Sequence, residues 1–570
     1  MSSTTADRTE EFLGHPKGLY VCFFTEMWER FSFYGMKSLL VLYLVKHHLF
    51  SDSDSLAIQG AYGGMVYAIP VIGGVVADRW LGMRKSVVLG GILLCLGHLG
   101  MSVEGHAAQM VNGTVQRDAF ALDVFYFSLA LIISGVGFLK PNISTIVGKL
   151  YPDGDPRRES GFTLFYAGIN VGALFASLIC GYLGEAYGWS YGFGAAGIGM
   201  LAGLAMFLSG QRYLMGHAEP RDPAALAQRV LGPLTREWAI YIAAVLALPL
   251  VFLLMKAGRA VLYLQYSLIS AWLVWLAWYV YARCNRVQRE QMFAVVLFTS
   301  FCLLFFALYE QTYGSWVLFT DRMLDKDVFP ELVIREGKPL PWSIAPLIIA
   351  PLMMGIALRM RDQGMARTLM AVTATAGALV IVRDCVVLPQ TAESLTYLGA
   401  LFIVLLSPLF AWLWPFLDRR GLNPSKPLKS AIGLAFSGLA FLPLAAANAG
   451  VSAGHLGSVW WLVLAYGVIE VGEICLSPIG LAAVTDLSVP AVVGVMMGAW
   501  WLATSFSEQG AAMLGSLAAL DIPPGGEIYF SDAVQKYGSL FGHMVWLGLG
   551  SAVFALLLTP LMRRWMHGVK

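Results

Sequence analysis

Apolar runs of about 18 residues or more recur along this chain from its first fifty residues to its last thirty, and each can cross a hydrocarbon core of about 30 Å. Inside lipid a backbone has no water to bond to, so such runs become helices whose amides and carbonyls satisfy one another. The segments fall near residues 18–46, 58–78, 84–104, 120–141, 161–184, 190–210, 236–255, 260–282, 291–317, 342–360, 367–388, 396–416, 428–449, 458–481, 490–519 and 540–562. The expected fold class is therefore an all-α polytopic membrane protein. Charge agrees: 13% of the residues are charged and 58% hydrophobic, where an ordinary soluble domain carries roughly 25% charge.

Several function classes drop out at this level. A formal net charge of +2 is too small to imply nucleic acid, and no basic block is interleaved with aromatics as a single-strand binder needs. The seven cysteines show no recurring spacing and read as small buried hydrophobes, with neither a zinc site nor a disulfide frame in evidence. HExxH and Walker signatures are absent from the sequence, so a membrane enzyme is the least favoured reading. Asn112-Gly-Thr matches a glycosylation acceptor but is too short to carry meaning alone. The polar start, MSSTTADRTEEFLGHPKG, has no apolar h-region or cleavage site, so the first helix is expected to insert as an anchor.

Lysine and arginine give the orientation, because short cytoplasmic loops carry their excess. Arg79, Arg84 and Lys85 follow the second segment, Lys149, Arg157 and Arg158 the fourth, and Arg212, Arg221, Arg229 and Arg236 the sixth. The same parity continues to Arg563 and Arg564, placing both termini in the cytoplasm of a multi-pass plasma (inner) membrane protein. An internal echo divides the chain. ADRWLGMRK (Ala77 to Lys85) follows the second segment and LDRRGLNPSKP (Leu417 to Pro427) the twelfth, as transporters built from parallel halves would show. The first copy resembles the cytoplasmic loop motif of the major facilitator superfamily. Two six-helix bundles need twelve spans, so the surplus falls as two pairs, 236–282 and 342–388. The expected organisation is a first bundle over 1–211, a linker with two extra helices over 212–290, and a second bundle over 291–570 carrying the inserted pair near 342–388, giving 14–16 spans.

Ionisable groups at mid-bilayer cost a few kcal/mol each and usually line a cavity. The segment TEMWERFSFYGMKSLLVLYL, Thr25 to Leu44, holds four charged side chains. At about 100° per residue, Glu26, Glu29, Arg30, Phe33, Tyr34 and Lys37 share one helix stripe, which describes one wall of a polar cavity. Snorkelling to an interface is the competing reading, and Lys37, three turns in, argues against it. Further on, GVGFLKPNISTIVGKLY sets Lys140 against Pro141 at a hinge. FYAGINVG brings Tyr166 and Asn170 one turn apart, FFALYEQ holds Glu310 and Gln311 in an aromatic span, and YGVIEVGEICLSPIGLA puts Glu470, Glu473 and Ser477 on one face. MMGAWW carries Trp500 and Trp501, a residue type that packs or anchors more often than it lines a site.

Glu26-x-x-Glu29-Arg30-Phe31-x-Phe33-Tyr34-Gly35 closely resembles the ExxERFxYYG motif of the proton-dependent oligopeptide transporter family, with Phe33 where the family commonly has a first tyrosine. GFLKPN, FYAGINVG, GEICLSPIGL and MMGAWW resemble that family's fourth, fifth, tenth and eleventh core helices, in order. The resemblance implies a major facilitator fold and a proton-coupled symporter of di- and tripeptides, with the proton as coupling ion and no other cofactor, a single chain sufficing. It implies that Arg30, Lys37 and Lys140 hold the peptide carboxylate, and that Glu473, helped by Asn170, receives the α-amino group. Tyr34, Tyr67 and Trp500 would line side-chain pockets, with Glu310 and Ser477 also at the peptide site. Glu26, Glu29, Arg30 and Glu310 would take part in proton coupling. Lys37 with Glu310, and Lys140 with Glu473, would form gates between the halves. Where the family's eighth core helix often has an asparagine, this chain has Gly399. The alternatives are a transporter of another anion in the same fold, such as nitrate or a carboxylate, or a drug antiporter. Glu473 argues against the first and the intact Glu26, Glu29, Arg30 triad against the second.

Overall fold

A computed structural model describes residues 10–326, 390–520 and 528–569 except residue 153, with positions 522 and 526 besides. Thirteen described helices are long and apolar enough to cross a membrane. They follow α1, Lys17–Leu42, which a π-turn at Tyr43–His47 extends and which carries the four charges of the polar stripe. In chain order they are α2 Asp52–Leu81, α3 Met83–Met101, α4 Ala119–Lys149, α5 Arg157–Tyr187, α6 Trp189–Leu214, α7 Arg236–Lys256 and α8 Arg259–Arg283. The remainder are α9 Arg286–Met323, α10 Ser394–Arg419, α11 Lys426–Ala449, α12 Trp460–Leu487, α13 Pro490–Ala518 and α14 Phe530–Trp565. The multi-pass all-α class stands, while the inserted pair expected at 342–388 lies outside the described residues.

Local chemistry sets the helix ends. Ser51 accepts the Asp54 amide at 3.1 Å to cap α2, Asp118 accepts that of Ala121 at 3.1 Å to cap α4, and Asn285 with Gln288 closes a capping box on α9. The Asn112-Gly113 pair forms the turn of a two-stranded hairpin, Gln109–Val111 against Thr114–Gln116. Both residues have positive φ, as this tight turn requires.

The internal echo is structural as well. In each copy the glycine after Asp-Arg is left-handed, Gly82 at φ 78° and Gly421 at φ 67°, a conformation that suits a residue without Cβ. The basic residues beyond it then tie down neighbours. Arg84 bonds Gln211 at 2.9 Å, Lys85 reaches Glu237 on α7 at 2.7 Å, and Lys426 reaches Asp486 at 2.6 Å.

One apolar core is built from α1–α6 with Val251, Met255 and Val261 of the accessory pair, and two more clusters lie mainly in the second half. Across the halves, α2 packs on α13 and α5 on α10. Helices α7 and α8 lie outside, with Leu246 and Val274 each 71% exposed, side chains suited to lipid. The six described cysteines are free and buried. The end of the bundle where α1 starts is termed proximal, and the opposite end distal.

Candidate functional site

The α1 stripe faces inward. Glu26, Glu29, Arg30 and Lys37 are 3%, 0%, 3% and 1% exposed, so none of them snorkels. Arg30 donates through Nε at 2.5 Å and Nη2 at 2.8 Å to the two oxygens of Glu29, and its Nε lies 3.2 Å from Glu26 Oε1. The other Glu26 oxygen is buried without a hydrogen-bond partner. Phe33 supplies a ring beneath this charge, with Arg30 Cζ at 5.1 Å and Lys37 Nζ at 5.9 Å from its centroid. Cations favour an aromatic face, so this phenylalanine holds its position by its ring. Tyr34 stacks on Tyr313 across the halves at 6.0 Å.

Towards the distal end, Lys37 meets two carboxylates of the second half, Glu310 at 2.7 Å and Glu508 at 2.8 Å, with the Tyr313 ring at 4.9 Å. The expected Lys37–Glu310 pair is thus formed. Glu508 is an addition that sequence reasoning passed over, an acid on α13 with no charged neighbour at helical spacing. More distally Arg322 grips Asp52 through two bonds of 2.6 and 2.7 Å, and Asp52 also accepts the Leu520 amide at 3.0 Å. Lys46 reaches Asp321 at 2.7 Å. Gln265 of α8, 1% exposed, donates to Ser505 Oγ at 2.9 Å. Ser505 in turn donates to Gly64 O at 2.6 Å, so the accessory pair reaches the α2–α13 seam. These contacts also went unanticipated, since Asp52 lies in SDSDS, which has the look of a loop.

The proximal side is built differently. Lys140 forms no ion pair among the described residues. Its Nζ lies 4.5 Å from the Tyr67 centroid and 5.5 Å from that of Trp501, and those two rings stack at 6.2 Å and 4° across the halves. The expected Lys140–Glu473 pair is therefore not formed in this conformation. Glu473 is half-buried on α12, one turn from Glu470, whose Oε1 accepts the Tyr309 hydroxyl at 3.1 Å. Ser477, a turn further, is half-buried. Asn170 is also half-buried and donates to Tyr166 O of its own helix at 3.1 Å, while Tyr166 is 50% exposed. Trp500 requires a correction. It is 3% exposed within an apolar cluster of the second half, its ring against Gly480, and Trp501 takes the cavity-facing place. Gly399 acquires a physical reason: a Cβ there would stand 2.9 Å from Glu470 Oε1, so the absent side chain leaves room for that carboxylate.

Taken together, the arrangement offers cations on α1 and α4 and carboxylates on α9, α12 and α13, joined by ion pairs distally and, among the described residues, left half-buried and unpaired across the halves at Lys140 and Glu473. Comparison with known proteins agrees with this architecture. The family model of the POT family matches residues 84–335 and 386–521. The chain is 32% identical to the uncharacterized transporter YclF of Bacillus subtilis, over 98% of this chain and 96% of the relative. It is 30% identical to the peptide transporter YePEPT of Yersinia enterocolitica, over 99% and 98%. Among solved structures, a crystal structure of the peptide transporter POT in complex with sulfate superposes with a TM-score of 0.71 at 29% identity, covering 98% of each chain. Matched by the family model over most of its length and by such relatives almost end to end, the chain belongs to the POT family.

Proposed function

We infer that this protein imports di- and tripeptides by proton-coupled symport, through alternating access around the cavity between its halves. The observation that carries the reading is Lys140, a cation with no carboxylate partner among the described residues, in a cavity whose other half bears Glu470 and Glu473. A zwitterionic peptide has constant charges at its ends and variable side chains between. Lys140, with Arg30 and Lys37, suits its carboxylate, and Glu473 and Asn170 suit its amino group. Tyr34, Tyr67 and Trp501 tolerate the variable part, and Ser477 adds a hydroxyl to the same wall. Glu26, Glu29, Arg30 and Glu310 form the proton-coupling set, with the proton as the only coupling ion. Positive-inside parity supports cytoplasmic termini in the plasma membrane. The distal end is then external, and this conformation faces inward. One chain contains the whole site, so a monomer suffices.

The test is uptake of labelled dialanine into liposomes containing the purified protein, with and without an inward proton gradient. Gradient-dependent accumulation that excess unlabelled tripeptide suppresses is expected. Uptake that ignores the gradient overturns the coupling, and absence of peptide flux overturns the substrate class.

A further inference from the structure

The distal cluster has an unbalanced charge. Lys37, Glu310 and Glu508 are 1%, 6% and 2% exposed, with both carboxylates within 2.8 Å of one ammonium. Two anions on one cation leave one net negative charge in a site closed to bulk solvent, and an uncompensated buried charge is costly. Every element around the cluster leaves that charge standing. α1 gives Lys37, while Arg30 is already engaged by Glu29 and Glu26. α1 also gives Tyr34, α2 gives Gln59, Tyr62 and Tyr67, α8 gives the neutral Gln265, α9 gives Glu310 and Tyr313, and α12 gives Glu473, a further acid within electrostatic reach of Glu310. Two like carboxylates in such a place settle by holding one proton between them.

Glu508 also has a built position. A Cβ at Gly63 would strike its carboxyl group, so α2 is hollowed at this point. Beside it lies a cavity of about 10 Å³ lined by Gln59, Glu310, Gln311 and Glu508, room for about one water. The Tyr62 hydroxyl is buried without a hydrogen-bond partner among the described residues.

We propose that Glu508 is a second proton-coupling carboxylate, sharing one transported proton with Glu310 whenever the distal end is closed on Lys37. The proposal rests on the symport reading above and deepens it. With the distal end open, the pair faces external water and takes a proton from it. Closure on Lys37 then gives a neutral triad of one ammonium, one carboxylate and one carboxylic acid. Release of that proton to the proximal cavity restores the negative charge and drives the distal end open again, so the proton favours the inward-facing state that carries it in.

The experiment measures limiting accumulation of labelled dialanine at an inward gradient of about one pH unit, with the membrane potential clamped at zero, where each coupled proton multiplies the ratio by about ten. The wild-type arm tests symport itself: absence of accumulation overturns that reading, independently of Glu508. Glu508→Gln leaves Lys37 and Glu310 as a neutral pair that needs no proton, so the ratio should fall about tenfold, whereas slower transport alone would leave the limiting ratio unmoved. Glu508→Asp should restore the wild-type ratio. Because the proton is shared, Glu310→Gln should lose the same factor, which keeps the proposal testable if Glu508→Gln folds poorly. A wild-type ratio in either glutamine variant would overturn it.

Discussion

The distal and proximal ends of the cavity use the same side-chain chemistry in opposite ways. At the distal end the halves meet, Lys37 lies between two carboxylates at 2.7 and 2.8 Å, and Arg322 holds Asp52 through both its amino groups. At the proximal end the halves meet only through rings among these residues, Tyr67 on Trp501, and Lys140 rests on both while Glu473 remains on the other half. Charges pair where water is excluded and stay available where it enters. Breaking the distal set leaves buried ions uncompensated, whereas an aromatic face holds a partly hydrated ammonium by only about 0.5–1 kcal/mol. One end is thus suited to locking and the other to receiving a ligand.

The largest test of this contrast is Lys37→Ala, which strands Glu310 and Glu508 together. Loss of one member of a buried ion set costs about 3–5 kcal/mol. The variant should unfold well below the wild-type temperature in detergent and carry no dialanine. An unchanged melting temperature would mean that water reaches the distal cluster and would erase the contrast. Arg322→Ala should rank next, with a penalty of about 3 kcal/mol read by the same melting experiment. The exchange Asp52→Arg with Arg322→Asp should regain only part of it, because the Leu520 amide donates to Asp52 and would face a guanidinium instead.

How much of this was legible in the sequence depends on what each residue needs in order to be placed. The α1 stripe was readable because four charged side chains at helical spacing in an apolar run have one consistent solution, a shared inward face. The Lys37–Glu310 pair followed from the family resemblance and is formed. Glu508 stood alone on its helix without a charged neighbour to mark a stripe, so its role emerges only when α13 is packed against α2 and α1. Trp500 and Trp501 are adjacent on a helix rich in apolar residues all round, where periodicity gives no reason to prefer one face. The packing of Trp500 against Gly480 decides it. The Lys140–Glu473 pair belongs to a conformation, and residues alone do not say which of two alternating states a structure holds. The meaning of Gly399 required the position of Glu470, which the packing of α10 against α12 sets and which neither helix reveals by itself.

That last contact gives a smaller prediction. Gly399→Ala places a methyl group 2.9 Å from Glu470 Oε1, and crowding of this kind costs about 1–3 kcal/mol where the neighbour cannot yield. Glu470 is fully buried, but its carboxyl group is held by a hydrogen bond from Tyr309 to Oε1, and its Oε2 has no partner among the described residues, so it can rotate and the lower figure is expected. The readout is melting temperature together with dialanine affinity. A loss near the upper figure would show that Glu470 is as rigidly held as the distal carboxylates and would narrow the difference between the two ends.

The smallest effect on folding, and the sharpest on the comparison, is expected from Lys140→Ala. No carboxylate is stranded by its removal, and what disappears is the contact with the Tyr67 and Trp501 rings, worth about 0.5–1 kcal/mol. The melting temperature should therefore scarcely move, in contrast to Lys37→Ala. Dialanine should nevertheless bind at least about tenfold more weakly, a loss of about 1.4 kcal/mol, because the cation left free in the empty site is the one reserved for the peptide carboxylate. A dipeptide whose C-terminus is amidated should bind the wild type and Lys140→Ala alike, since it has no carboxylate to lose. If the amide were weakened by the substitution as much as dialanine is, Lys140 would act through the shape of the aromatic stack, and the proximal end would be a packing surface like the distal one.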